Sequence, residues 1–600
     1  MDKTTLNNST IPFLATTAEE AFWDTSKPII FLGEWCRRYS RKSFWEPLEG
    51  EVLTSPWQNT QECHMAYYYV SDVYERLLAA LGEALNSIHH VSHDPRYWRI
   101  MLGPWLKYYL PVVYDRYACL RTALDKYPGL TSIVLSPDNW VTPADSVEFY
   151  GFAQEHLYNL QVYSRIFRFL GKDFPQKQAT LFATEFDLIK TDRSFSNNAR
   201  SLLKRMAIAV SNKFKTGHSI IFRESHFSPF VELQLVLNTV GKVWPIYGDP
   251  PKLQRPEINV PLRDNLRNLL THNKSFEELL NKLLPLDIPT CFIEGFNDLL
   301  QASDRTYPAE PKAIFSASAF YWDETFKQWA ARSAENGTLL LFTQHGGDYG
   351  SLFYSYGEDH EIAIADRYYS WGWDKPESAS KVVPGFSAKL SGRKVLAADN
   401  QKEGILLVAT TLSPYLIELQ PSPLWNSEYL SWQSRFCGRI HSDLLPSLRV
   451  RLRRMDFGVE MYPRWKDEHP DITVEIGGMD FLQKLESCRL YVCDHMSTTH
   501  VEALSANKPA ILFWDPAKYA LRPDAKPYYD QLREAGILYD NPEAAAEAVN
   551  TAYPDIEKWW NDPNRQAARQ TFCNRFARTS SNAVKEWSRE FNRIAKQDIT

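Results

Sequence analysis

Leu490 to Trp514 reads LYVCDHMSTTHVEALSANKPAILFW. A short apolar run, Leu490 to Cys493, gives way to a hydroxyl-rich turn. A helical pattern then covers about Thr499 to Ala506, Asn507-Lys508-Pro509 breaks it, and a second apolar run follows from Ala510 to Trp514. Strand, helix and strand in that order form a right-handed crossover between parallel strands, the repeating unit of a doubly wound sheet. The turn after Cys493 falls at the carboxyl end of its strand, where such sheets bind ligands.

Working outward, the same alternation continues upstream. Strand-like runs lie at Gly404–Thr410, Arg449–Arg453 and Ile472–Ile476, with helices expected over Glu428–Leu444 and Phe481–Ser487. Residues 376–403 are polar and carry Pro and Gly, so the linker between two units is placed there. Before it, the runs Pro28–Cys36, Thr131–Ser136, Ser219–Arg223, Ala313–Ser316 and Thr338–Thr343 alternate with long helical stretches such as Ala66–Ile88 and Ser146–Leu170. The expected organisation is an N-terminal α/β domain enlarged by helical insertions (1–390), a linker (391–403), a C-terminal Rossmann-like domain (404–560) and closing helices (561–600). Phe572, Phe576, Ala583, Trp587, Phe591 and Ile594 form an apolar helical stripe, broken by Ser580-Ser581-Asn582 into two helices that should pack back on the N-terminal domain.

With 600 residues, 44% of them apolar and 23% charged, the chain is neither disordered nor a disulfide-stapled miniature. A net charge of −6 supplies no basic field for nucleic acid. The 8 cysteines show no zinc-ligand spacing and are scattered as in a reduced protein. The start, MDKTTLNNSTIPFL, lacks a leader pattern, and no run reaches the ~18 apolar residues of a membrane span. The expected location is cytoplasmic, with at most peripheral contact with the inner face of a membrane. Aromatic residues, 14% of the chain, suit helical packing first and sugar faces second.

Several clusters could carry chemistry. Ser497, Thr498 and Thr499 open a helix whose free N–H groups favour an anion, with His495 beside them and Glu502 in reach of a sugar hydroxyl. The same residues also suit an ordinary helix cap, with Glu502 in a capping-box position. Arg449, Arg451, Arg453, Arg454, Arg464 and Lys466 precede His469-Pro470 and need anionic company, either nearby carboxylates or a ligand. Gln344-His345-Gly346-Gly347-Asp348-Tyr349 follows the run TLLLFT. There the glycines let backbone approach a ligand, and His345 is placed as a general base or as a hydrogen-bonded structural residue. Gly33-Glu34-Trp35-Cys36 follows the first strand-like run, making Glu34 a candidate base or a partner of a nearby arginine. No Walker or dinucleotide glycine motif and no strand-end D-x-D is present, so no metal is called for.

Together, FLATTAEEAFWDTSKPIIFLGEWC, TQHGGDYG with ADRYYSWGWD, and YVCDHMSTTHVEALSANKPAILFWDP resemble transferases encoded in O-antigen and surface-carbohydrate gene clusters. The C-terminal part is similar to GT-B glycosyltransferases and to nucleotide-sugar 2-epimerases. The resemblance implies a GT-B-like α/β fold, two Rossmann-like domains facing across a cleft. It places donor contacts at Thr411, Ser413, Arg451, Arg453, His495, Ser497, Thr498, Thr499 and Glu502. Acceptor contacts fall at Gln344, Gly346, Gly347, Tyr349 and Trp35, with catalysis by His345, Glu34 and Asp348. Some GT-B enzymes that use CMP-activated 3-deoxy-2-keto sugar acids share the Arg-rich, His-Pro-containing segment seen at Arg449 to Pro470. The expected activity is therefore metal-independent transfer of such a sugar to a surface glycan or a lipid-linked or protein acceptor, without a cofactor. A nucleotide-sugar 2-epimerase and a non-catalytic glycan-binding or assembly protein are the alternatives.

Overall fold

The computed structural model describes residues 11–179, 220–271, 274–411, 413–420, 427–477 and 481–596. Two all-parallel sheets of six strands organise the chain. The first comprises β6 (Ile220–Arg223), β7 (Val243–Pro245), β8 (Ala313–Ser316), β9 (Leu339–Thr343), β10 (Arg367–Ser370) and β11 (Val382–Pro384), in the order β11-β10-β9-β8-β6-β7. The second comprises β12 (Ile405–Val408), β13 (Leu448–Leu452), β14 (Thr473–Ile476), β15 (Leu490–Cys493), β16 (Ala510–Phe513) and β17 (Leu538–Tyr539), in the order β14-β13-β12-β15-β16-β17. The second is the Rossmann order. The direction of winding reverses between β12 and β15 there and between β6 and β8 in the first sheet, and each reversal leaves a crevice at the strands' carboxyl ends. Strands β6, β8, β12, β15 and β16 are buried at every residue, as helices on both faces of a parallel sheet require.

Residues 11–179 do not join the first sheet. The run at Pro28–Cys36 yields β2 (Ile29–Phe31), flanked by β1 (Phe13–Ala15) and β3 (Gly50–Val52) in a separate parallel sheet. The run at Thr131–Ser136 yields β4 (Val134–Leu135), paired with β5 (Gln176–Lys177). An apolar run reports that a strand is buried and is silent about its partner. The helices Thr60–His89 and Pro95–Lys126 pack on one another, and the second also packs on the helix Glu324–Glu335 between β8 and β9. The first begins before the expected Ala66 because the Asn59 side chain accepts from the Gln61 N–H at 2.9 Å and caps it there. The expected helix Ser146–Leu170 is two, Ser146–Phe152 and His156–Phe169. At the break, the Ala153 carbonyl is claimed by Arg116 (3.1 Å) and Asn159 (2.9 Å). The helix expected to run to Leu444 stops at Cys437. Ser219 of the expected strand lies outside the described residues.

The polar stretch read as linker begins inside the sheet: Val382–Pro384 is β11, paired with β10. The closing helices divide between the two halves. Pro563–Phe576 packs on the second half, with Phe572 5.2 Å from Tyr529 and Phe576 5.4 Å from Tyr528. Only Ala583–Lys596 returns to the first sheet, setting Trp587 5.0 Å from Tyr369 and Phe591 4.9 Å from Phe222. Burying such rings stabilises by about 1.5–3 kcal/mol each, which anchors the chain end across both halves. One apolar cluster also runs through both sheets, joining Leu340 and Phe342 to Leu406 and Tyr491.

Candidate functional site

The carboxyl ends of the two sheets meet. The loop after β9 carries Gly347 against the first turn of the helix Thr498–Ser505, and its N–H donates to the Thr498 hydroxyl at 3.1 Å. A β-carbon on Gly347 would lie 2.7 Å from the Thr498 Cα and 2.8 Å from the Ser497 carbonyl oxygen, so only glycine permits this approach. Below it, Leu352 and Leu521 form an antiparallel bridge, and Arg522 reaches back to the buried Glu358, which also accepts from the Gly350 N–H at 2.8 Å. On the far side, Tyr39 donates to Asp467 at 2.8 Å and lies under the Arg464 guanidinium.

This contact fixes the role of the hydroxyl turn. Ser497 is the N-cap: its hydroxyl accepts from the Thr499 N–H at 3.3 Å, and its own N–H donates to His500 Nδ1 at 3.0 Å. The box is closed by His500 at the third helical position, two residues before Glu502. Burial lowers the His500 pKa to about 3, in keeping with a ring that accepts. Glu502 is held by Lys389 at 2.6 Å and Arg393 at 3.2 Å. Thr499 bonds Tyr491 at 3.0 Å. His495 binds Asp494 through Nδ1 at 2.8 Å; burial opposes its charge, but Cys493 and Asp494 outweigh that and raise it to about 10. The helix end is thus capped and covered, and Glu502 is engaged by cations.

The hydroxyls at the end of β12 are different. Thr411 is buried, Ser413 half-buried, and neither side-chain oxygen has a hydrogen-bond partner among the described residues. Buried unpartnered hydroxyls at a switch point are the strongest sign of a ligand position on this side. Next to them, Glu428, Tyr429, Trp432, Asp494, Trp514, Asp515, Lys518 and Tyr519 line an aromatic crevice in which Lys518 pairs with Glu428 at 3.8 Å. The arginines of β13 alternate against Leu448, Val450 and Leu452, which are buried. Arg449 is exposed, Arg451 pairs with Glu475 at 3.0 Å, and Arg453 is exposed over the Phe457 ring. The arginine face therefore looks outward and needs no ligand to exist.

On the opposite side, His345 ends β9 with 24% of its side chain exposed and its Nδ1 3.6 Å from Glu361. Burial, then the nearby His226, Lys107 and Lys389, lower its pKa to about 3, so it is neutral. Glu361 accepts from Tyr349 at 2.5 Å and Tyr321 at 2.7 Å, and burial raises its carboxyl to about 8. Burial also raises Asp348 to about 6. Lys107, buried in the long helix, pairs with Glu418 of the second half at 3.1 Å at the floor of this crevice. Gln344 is fully used: it accepts from the Trp371 N–H and the Trp373 indole, both at 2.8 Å, and donates to the Gly346 carbonyl at 2.7 Å. Trp35 donates to the Thr16 carbonyl at 2.9 Å and packs 5.5 Å from Tyr415, and Glu34 pairs with Arg37 at 2.5 Å. These three serve packing and local pairing in this structure.

Sequence reading missed the loop after β6. Glu224 and His226 stand at the first sheet's own switch point with left-handed φ values of 48° and 61°. Ser318 bridges them, donating to Glu224 at 3.0 Å and lying 3.1 Å from His226, whose ring is 6.0 Å from that of His345. Two non-glycine residues held there store strain of about 1–3 kcal/mol each, a cost that clusters at functional sites. The signal available was His226, three residues after the end of the apolar run that forms β6.

Two facing Rossmann-like sheets, meeting at their carboxyl ends around a histidine and two perturbed carboxyls, are the arrangement of an enzyme acting on a ligand held between domains. Residues 12–591 match the model of the LIC12162 family transferase, and the chain belongs to that family. No curated protein matches it. Among solved structures it is similar to TarM (9% identity, covering 47% of this chain and 54% of TarM, TM-score 0.30). It is also similar to HepE of Anabaena in complex with UDP and glucose (13%, 62% and 98%, TM-score 0.32) and to MurG of Acinetobacter baumannii (11%, 63% and 100%, TM-score 0.32). The chain spans about half of TarM. Superpositions this loose leave the site to be argued from its own geometry.

Proposed function

We propose that this transferase is a glycosyltransferase that takes a sugar from a nucleotide donor, without a metal or other cofactor, and passes it to a surface glycan or glycoconjugate in the cytoplasm. The observation that carries the reading is the pair of switch points facing each other. Unpartnered Thr411 and Ser413 lie on one side, and His345 with Asp348 lies on the other. The donor phosphate would take hydrogen bonds from the two hydroxyls as negative charge develops on the leaving group. The Asp515 carboxylate in the aromatic crevice, where Glu428 is paired with Lys518 at 3.8 Å, favours a base that presents an amino group, such as cytosine. That supports a CMP-linked donor, such as a keto sugar acid. His345 would accept the acceptor hydroxyl's proton as its oxygen attacks the anomeric carbon and the nucleotide departs. An anionic donor in the crevice raises the imidazole toward its working range.

Calorimetric titration with CMP, CDP, UDP and GDP in the presence of EDTA tests the reading. CMP should bind tightest, Thr411→Val should weaken it about tenfold, as for a lost hydrogen bond to a charged group, and EDTA should leave turnover intact. Failure of all four nucleotides to bind would sink the glycosyltransferase reading, and preference for UDP would sink the CMP donor alone.

A further inference from the structure

The helix Pro229–Asn238 begins three residues after His226 and covers the edge of the first sheet beside β7. Its outer face is apolar. Phe230 is 69% exposed, Leu233 54%, Leu237 67% and Val240, just past the helix, 88%. The spacing of three and four sets Phe230, Leu233 and Leu237 on one stripe of the helix, and Val240 follows its end. Val240 is also held at φ 52°, a conformation a β-branched residue rarely adopts. A soluble surface gains nothing from presenting a strained valine to water.

The neighbouring helix, Ala583–Lys596, supplies the second half of the surface. It packs beside Pro229–Asn238, with the Asn592 amide 3.5 Å from the Asn238 carbonyl oxygen. Lys585, Arg589 and Lys596 share the face that carries Asn592, at intervals of four, three and four, and all three are exposed. Unlike Arg593, which pairs with Glu590 at 2.6 Å, none of these three forms an ion pair among the described residues. An apolar stripe bordered by unpaired cations fits an interface that is apolar inside and negative at its surface.

We propose that this two-helix face docks the protein on an anionic lipid bilayer, with Phe230, Leu233, Leu237 and Val240 entering the acyl boundary and Lys585, Arg589 and Lys596 on the headgroups. In a chain with net charge −6 such a cation row is a local feature; the surface runs from Phe230, four residues after His226 at the strands' carboxyl ends, to Val240 and Lys596 near their amino ends, where Lys312 donates to the Ala595 carbonyl at 2.9 Å. The inference needs only the surface and holds whatever group is transferred.

Co-sedimentation of the full chain with phosphatidylcholine vesicles, with and without about 30% phosphatidylglycerol, tests it; that fraction gives the negative surface on which basic residues act. Binding is expected only to the anionic vesicles and should weaken as salt rises. Leu233→Gln with Leu237→Gln, and separately Arg589→Glu with Lys596→Glu, should each reduce it at least tenfold. Both pairs should keep the wild-type melting temperature and nucleotide affinity. Absence of binding to anionic vesicles overturns the proposal, as does binding unchanged in both variants. Wild-type dimerisation that the leucine variant abolishes would also overturn it, by assigning the stripe to a second copy.

Discussion

His345 and Glu361 sit 3.6 Å apart, yet their environments push them in opposite directions: the imidazole is held neutral and the carboxyl protonated. If His345 takes the acceptor proton, His345→Ala should lower kcat by roughly 10²–10⁴ while nucleotide affinity stays within twofold. A large loss of affinity at unchanged kcat would make it a donor ligand and turn attention to Asp348. Glu361 has a thermodynamic signature of its own. Its pKa rises from the ordinary carboxyl value to about 8 in the fold, so between those values the folded state holds a proton that the unfolded chain has released. Its contribution to stability is full below the unfolded pKa and is lost as pH climbs toward 8, with a slope of up to about 1.4 kcal/mol per pH unit. Glu361→Gln should therefore gain on the wild type as pH rises from about 5 to 8 in chemical denaturation. Parallel curves for the two proteins would refute the shift.

Among the elements, the loop after β9 and the helix Thr498–Ser505 form the joint between the two halves. The sequence placed both at strand ends, and its glycine pair pointed to a close backbone approach. What it approached was the other domain's helix, because Gly347 covers the Ser497 cap that an anion was expected to occupy. Gly347→Ala would force backbone apart by several tenths of an ångström, since a β-carbon at 2.7 Å from Thr498 Cα has no side chain to displace. It should cost about 1–3 kcal/mol of stability and reduce turnover more than nucleotide affinity. Measuring unfolding and kinetics on that variant decides whether the joint positions the site or only packs. The hydrophobic pattern marked the second sheet's central strands, whereas β7, β10, β11 and β17 went unseen. Those are short, and all four carry aromatic residues or proline, which blurs the apolar signal.

In the whole molecule the halves are pinned at several points: the closing helix on the first sheet, the Leu352–Leu521 bridge, and Glu358 with Arg522 and Lys375. Glu358 is 1% exposed at its side chain, so removing Arg522 leaves a buried carboxylate whose remaining partners among the described residues are Lys375 and the Gly350 N–H. Arg522→Ala should destabilise by about 3 kcal/mol and enlarge the radius of gyration in solution scattering as the crevice opens. An unchanged scattering profile with a lowered melting temperature would make the pair a matter of local stability alone.

The sequence by itself determined the α/β class, the Rossmann-type alternation after residue 404 and the strand-end position of His345. Each of these is written in local periodicity and turn chemistry, which act within a few residues. Tertiary structure decided which hydroxyls stay unpartnered, that Glu502 faces Lys389 and Arg393, that Gln344 spends its amide on two tryptophans, and that Glu224 and His226 join the site. Those outcomes depend on partners far apart in the chain, and burial and hydrogen-bond satisfaction are properties of the assembled neighbours.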